Sequence, residues 1–127
     1  MSYETRKRMR PVIVESPYAG DVERNLRYLR AAMHDCIMRG ETPYASHAIL
    51  TQPGVLDDND PHERELGIHA GCDMAEALGS DAVRVVYTDL GESRGMAYGI
   101  DHATRIGQPI ERRALPRWEQ GGSHAQR

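Results

Sequence analysis

The chain has 127 residues, 39% of them hydrophobic, and its 16 lysines and arginines against 19 acids leave a net charge of −3. That length suits one domain with a sizeable core. The mildly acidic, interspersed charge argues against a binder of nucleic-acid polymers or membrane surfaces, which needs a basic face, and no apolar run approaches the roughly 20 residues that span a bilayer.

Residues 1–10 are polar and basic and are expected to be loosely ordered. Arg6, Lys7, Arg8 and Arg10 precede too short an apolar run for a signal peptide. With two cysteines and no secretion signal, a reduced, cytoplasmic protein is expected. Cys36 and Cys72 fall within predicted helices, where a free cysteine behaves as a small buried hydrophobe. The single domain spans 11–116, and 117–127 reads as a flexible tail whose only large apolar group is Trp118.

Between those ends the chain alternates strand and helix. Pro11–Glu15 is a short β-branched run ending in the turn-rich Ser16–Gly20. A helix follows, with Asp21 as N-cap and Gly40 as its stop. Val22, Leu26, Leu29, Met33 and Cys36 carry its buried face. Thr42–Ala45 is a weaker strand, because Pro43 removes a ladder donor and suits an edge. Residues 46–59 read as a loop.

Asp60-Pro61-His62-Glu63 then supplies an N-cap, a proline at the first helical position and a glutamate three residues after the cap. Leu66, Ala70, Met74 and Leu78 line one face of this helix, and Gly67 and Gly71 beside them would let it approach the sheet closely. Ala82–Tyr87 is the clearest strand. A third helix carries Met96, Ile100 and Ala103 and ends at Gly107, and Pro109–Arg112 begins a last strand. The pattern predicts an α/β fold: a small doubly wound, flavodoxin-like parallel sheet of about four strands with helices on both faces.

In such a sheet the segments after the first three strands emerge on one edge, where open α/β sheets bind ligands. They carry Ser16, Tyr18 and Gly20, then His47 and the Asp57/Asp58/Asp60 cluster, then Asp89, Glu92 and Ser93. Two of them lead into helix N-termini, which favour anions. The three acids could hold a divalent cation through hard oxygen ligands, but a solvated loop ending in an N-cap accounts for them. His34, Cys36, His69 and Cys72 lack the paired spacing of a zinc set. Neither a metal nor a cofactor is expected.

Ser16-Pro17-Tyr18-x-Gly20, together with Ser93-Arg94-Gly95-Met96 leading to Ile100-Asp101-His102-Ala103 and Gly107-x-Pro109-Ile110, resembles the nucleoside 2-deoxyribosyltransferase-like superfamily. The likeness is to its small members, many of them encoded by phages, and spans roughly Pro11 to Arg113. It implies a flavodoxin-like domain that cleaves or transfers the N-glycosidic bond of a deoxynucleoside or its 5′-phosphate. In that chemistry a helix glutamate attacks the anomeric carbon, an aspartate assists the base and a tyrosine holds the site. Tyr18 matches the tyrosine, while Ser16, Pro17, Gly20, His47, Asp58, Ser93, Gly95 and Met96 become the expected substrate contacts. The expected glutamate, however, falls on Gly99, and Asp101 lies about 200° further round the helix.

Glycosyl transfer needs a carboxylate at the anomeric carbon and a proton donor at the leaving base. Glu92 and Asp89, with Tyr18, are therefore the catalytic candidates. The alternative is a non-catalytic protein that binds or sequesters a nucleotide-like ligand, for example a phage-encoded ligand sponge. Either way the partner is a small nucleoside or nucleotide, and the resemblance implies a homo-oligomer.

Overall fold

A computed structural model describes residues 5–118. Residues 1–4 of the expected loose start and 119–127 of the expected flexible tail lie outside the described residues, while Arg10 already belongs to a strand. Residues 5–9 hold no helix or strand. Trp118 packs on the core, its ring edge-on to Tyr28 with centroids 4.8 Å apart.

Strand β1 (Arg10–Glu15) leads to helix α1 (Val22–Met38) and strand β2 (Glu41–Tyr44); a short helix α2 (Ser46–Leu50) and the long helix α3 (Pro61–Leu78) follow. Strand β3 (Val83–Tyr87), helix α4 (Arg94–Arg105) and strand β4 (Ile110–Arg113) complete the domain. The sheet has the order β2-β1-β3-β4 and every pairing is parallel. The chain reverses direction across the sheet between β1 and β3, which is where doubly wound folds open a crevice. Pro43 lies in β2, an edge strand, where a missing ladder donor is tolerated.

Strand alternation divides the core between the two faces. Val12, Val14, Val83, Val85 and Tyr87 point toward α1 and meet Tyr28, Leu29, Ala32 and Cys36. Ile13 points the other way, toward Ala75 and Ala82, with Tyr44, Leu78 and Ile106 packed around them. All of β3 is buried, as a central strand covered on both faces must be.

Two expectations need correction. Residues 46–59 are not wholly loop, because Ser46–Leu50 forms α2. Its N-cap is Ala45, which offers no side-chain cap, and its end is held by the Thr51 hydroxyl donating to the His47 carbonyl and by Gln52 Nε2 donating to the Ala48 carbonyl at 2.8 Å. The buried line of α3 is also displaced. Leu66 and Met74 are 46% and 41% exposed, and Ala75 is the residue of this helix that is fully covered.

The inward line runs through Gly67, Gly71, Ala75 and Leu78, one position and about 100° from the expected stripe over its first three members. A Cβ on Gly67 would lie 3.3 Å from Leu56 Cδ1, and one on Gly71 would lie 2.8 Å from Ser46 Oγ. The glycines thus bring α3 against α2 and the segment after it, not against the sheet.

The start of α3 is as expected: Asp60 Oδ1 accepts from the His62 and Glu63 amides at 2.9 and 3.2 Å. Asp60→Ala is expected to cost about 1 kcal/mol, read as a lower urea midpoint at unchanged slope. An unaltered midpoint would show that the cap adds nothing.

Candidate functional site

At the carboxyl end of β1, beside Arg84 of β3 and under the N-terminal half of α4, the protein encloses a cavity of about 530 Å³. That volume is typical of a site for a small organic molecule. Its walls come from the first loop, β2 and α2, α3 and α4.

One wall is aromatic. The Tyr18 and His47 rings meet edge-on with centroids 5.8 Å apart, and His47 Nε2 lies 3.4 Å from Ser16 Oγ. Burial pushes the His47 imidazole down to about 4, so near neutral pH it is an uncharged ring with one donor and one acceptor. Ser16 itself is 5% exposed. The Tyr18 segment is anchored from behind by Asn25, whose Nδ2 donates to the Tyr18 and Ala19 carbonyls at 2.9 and 3.1 Å.

The floor is charged. Glu15, the last residue of β1, lines the cavity with a side chain 16% exposed. Its Oε2 accepts from Arg84 Nη1 at 3.1 Å, while among the described residues Oε1 takes no hydrogen bond. Arg84, the second residue of β3, also donates to the Gly99 carbonyl at 2.7 Å and to Gln108 Oε1 at 2.8 Å. Its Nη2 meets His102 Nδ1 at 3.3 Å, and His102 Nε2 meets Glu76 Oε2 at 3.0 Å. Arginine can only donate, so Nδ1 accepts and the ring hydrogen sits on Nε2. Burial outweighs the Arg84 charge at Glu15 and pushes its carboxyl up to about 7. Gly99 makes the arrangement possible: a Cβ there would overlap the whole Glu15 carboxyl group.

The rim is cationic. Arg64 of α3 and Arg94 of α4 line the cavity, are exposed, and form no ion pair among the described residues. At the start of α4, Ser93 Oγ accepts from the Met96 amide at 3.3 Å and the first helical bond runs from Ala97 to Ser93. The Arg94 and Gly95 amides precede that bond and are left for solvent or a ligand.

Of the residues expected from the sequence, Ser16, Tyr18, His47, Asp58, Ser93, Gly95 and Met96 are brought together around this cavity. Pro17 is buried behind it, and Gly20, at φ +98°, turns the chain into α1. The two expected carboxylates do not face it. Asp89 Oδ2 accepts from the Tyr28 hydroxyl at 2.6 Å and the Leu115 amide at 2.8 Å, on the α1 side of the sheet. Glu92 is drawn outward to Arg112, Oε2 to Nε 2.7 Å, and that guanidinium holds its carboxyl below the usual range. Asp57 and Asp60 instead accept backbone amides of their own loop and of the α3 start. Among the described residues no three His, Cys, Asp or Glu side chains cluster as a metal site, and no helix is long and apolar enough to cross a membrane.

Glu15, Arg84 and His102 were not legible as a site, and Gly99 was legible only as the position where the resemblance places a glutamate. The available signals were a carboxylate ending an apolar strand and a single cation inside Ala82–Tyr87. A charge in a buried strand has to be paired. Residues 10–113 match a family described as Domain of unknown function (DUF7768). No curated protein and no solved structure matches the chain.

Proposed function

The chain belongs to the DUF7768 family, a domain of unknown function, and we propose that it binds a nucleoside or its 5′-phosphate as a 2-deoxyribosyltransferase-like protein acting on an N-glycosidic bond. The observation that carries this reading is the cavity of about 530 Å³ at the β1/β3 switch, walled by Tyr18 and His47 and rimmed by Arg64 and Arg94. An edge-on aromatic pair offers one ring face to a flat base. Two guanidiniums that form no ion pair among the described residues, beside the open amides at the α4 start, suit a phosphate group. The thiols of Cys36 and Cys72, both unpaired, fit a reducing cytoplasm. The exposed Leu66 and Met74 of α3 offer a surface for a homo-oligomer.

The test is calorimetry with a panel of deoxynucleosides and their 5′-monophosphates. The monophosphates are expected to bind about tenfold or more tightly than the nucleosides, with the difference removed by Arg94→Ala. Failure of every panel member to bind would sink the reading. A second reading, a non-catalytic sponge, is favoured by the outward placement of Asp89 and Glu92. Recovery of the bound ligand intact would support it.

A further inference from the structure

We infer that Glu15 is the catalytic carboxylate of this site, delivered from the end of β1 through the space that Gly99 leaves in α4. The inference rests on the nucleoside reading above and adds the reacting group. An interior helix glycine is unfavourable against alanine, and here the reason for it is specific: the Glu15 carboxyl occupies the volume a side chain at 99 would need. Arg84 clamps Oε2 at 3.1 Å while Oε1 carries no hydrogen bond among the described residues. The other carboxylate on the cavity wall, Asp58, comes from the segment before α3 and forms no ion pair among the described residues.

The chemistry closes without a cofactor. Oε1 attacks the anomeric carbon and forms an ester bond to the sugar. The carbon–nitrogen bond breaks, its electron pair goes to the base nitrogen, and that nitrogen takes a proton from water. A second water then adds to the anomeric carbon, the ester bond breaks with its pair returning to Glu15, and the water's proton leaves to solvent. The sum is nucleoside plus water giving free base plus sugar, with the carboxylate regenerated. Arg84 is a positioning residue here, since it acts through its hydrogen bond to Glu15.

Wild type, Glu15→Gln and Gly99→Ala are incubated with the same deoxynucleosides and monophosphates, with base release followed by chromatography and binding by calorimetry. Wild type is expected to release base. Glu15→Gln is expected to lose on the order of 10³-fold in rate while its affinity changes little, and Gly99→Ala to slow release by displacing the carboxyl group. A 2-fluoro sugar analogue is expected to leave a covalent glycosyl mass on the peptide containing Glu15 of the wild-type protein, a readout independent of how either variant folds. Binding with the ligand recovered intact, full turnover by Glu15→Gln, or an adduct on another residue would each overturn the assignment while leaving the binding reading in place. No binding at all would remove both.

Discussion

Arg113→Ala is expected to lower the unfolding free energy by about 3–5 kcal/mol, a large share of a domain's total stability. Arg113, at the end of edge strand β4, is 5% exposed and reaches across the α1 face of the sheet to Glu41, at the start of the opposite edge strand and 9% exposed. Nη1 and Nη2 donate to the two carboxylate oxygens at 2.7 and 2.6 Å, and Nη1 also donates to the Tyr87 hydroxyl at 3.2 Å. Tyr87 in turn donates to Asp35 at 2.7 Å. Truncating the arginine strands a carboxylate in the interior, which costs far more than the net worth of the pair.

The double variant Arg113→Met/Glu41→Leu is therefore expected to lose less than either partner's alanine variant. Urea denaturation of all of them checks this, and a loss below about 1 kcal/mol for Arg113→Ala would show the network to be idle. The Arg113 hydrogen bonds hold the Glu41 carboxyl below the usual carboxylate range. Its stabilisation is thus present above the ordinary glutamate range and disappears as pH falls through the lowered value. Glu41→Gln should lack that part of the acid limb.

Glu15→Gln is expected to do the reverse and stabilise the protein, by about 3 kcal/mol near pH 8 and by almost nothing near pH 4. Burial raises the folded-state carboxyl from 4.5 to about 7. Between those values the folded chain holds a proton that the unfolded chain has released, so stability falls as pH rises and levels off above the folded value. Glutamine mimics the protonated form and does not titrate. Arg84 from β3 faces Glu15 directly, and behind Arg84 lie His102 of α4 and Glu76 of α3.

His47 moves the other way. Its depressed value makes stability fall as pH drops from its ordinary 6.5 toward about 4. Because His47 is common to both proteins, the difference between wild type and Glu15→Gln isolates the carboxylate. Denaturation midpoints at the two pH values decide the matter, and a Glu15→Gln protein less stable than wild type near pH 8 would refute it.

Much of the site's location was legible because it depends on strand order and loop placement. Ser16, Tyr18, His47 and Ser93 follow from the segments that succeed parallel strands, and they do meet around one cavity. The helical phase of α3 was misread because Leu66, Ala70 and Met74 form as regular a stripe as Gly67, Gly71 and Ala75. Only the approach of Leu56 and Ser46 selects between them. Helix α2 escaped notice because five residues without a capping side chain leave almost no periodic signal.

By itself the sequence determined the alternation of strand and helix, the parallel sheet, the edge position of β2 and the edge on which polar loops gather. These follow from periodicity, capping and proline chemistry, all of which act within a few residues. Which carboxylates serve that edge was decided only by the tertiary structure. Asp89 is taken by Tyr28, 61 residues away, and Glu15 is held by Arg84, 69 residues away. Such pairings depend on which face of the sheet each strand-end residue turns toward and on what α1 or α4 presents there. A missing side chain at Gly99 acquires its meaning only when the strand beneath it is seen to fill the gap.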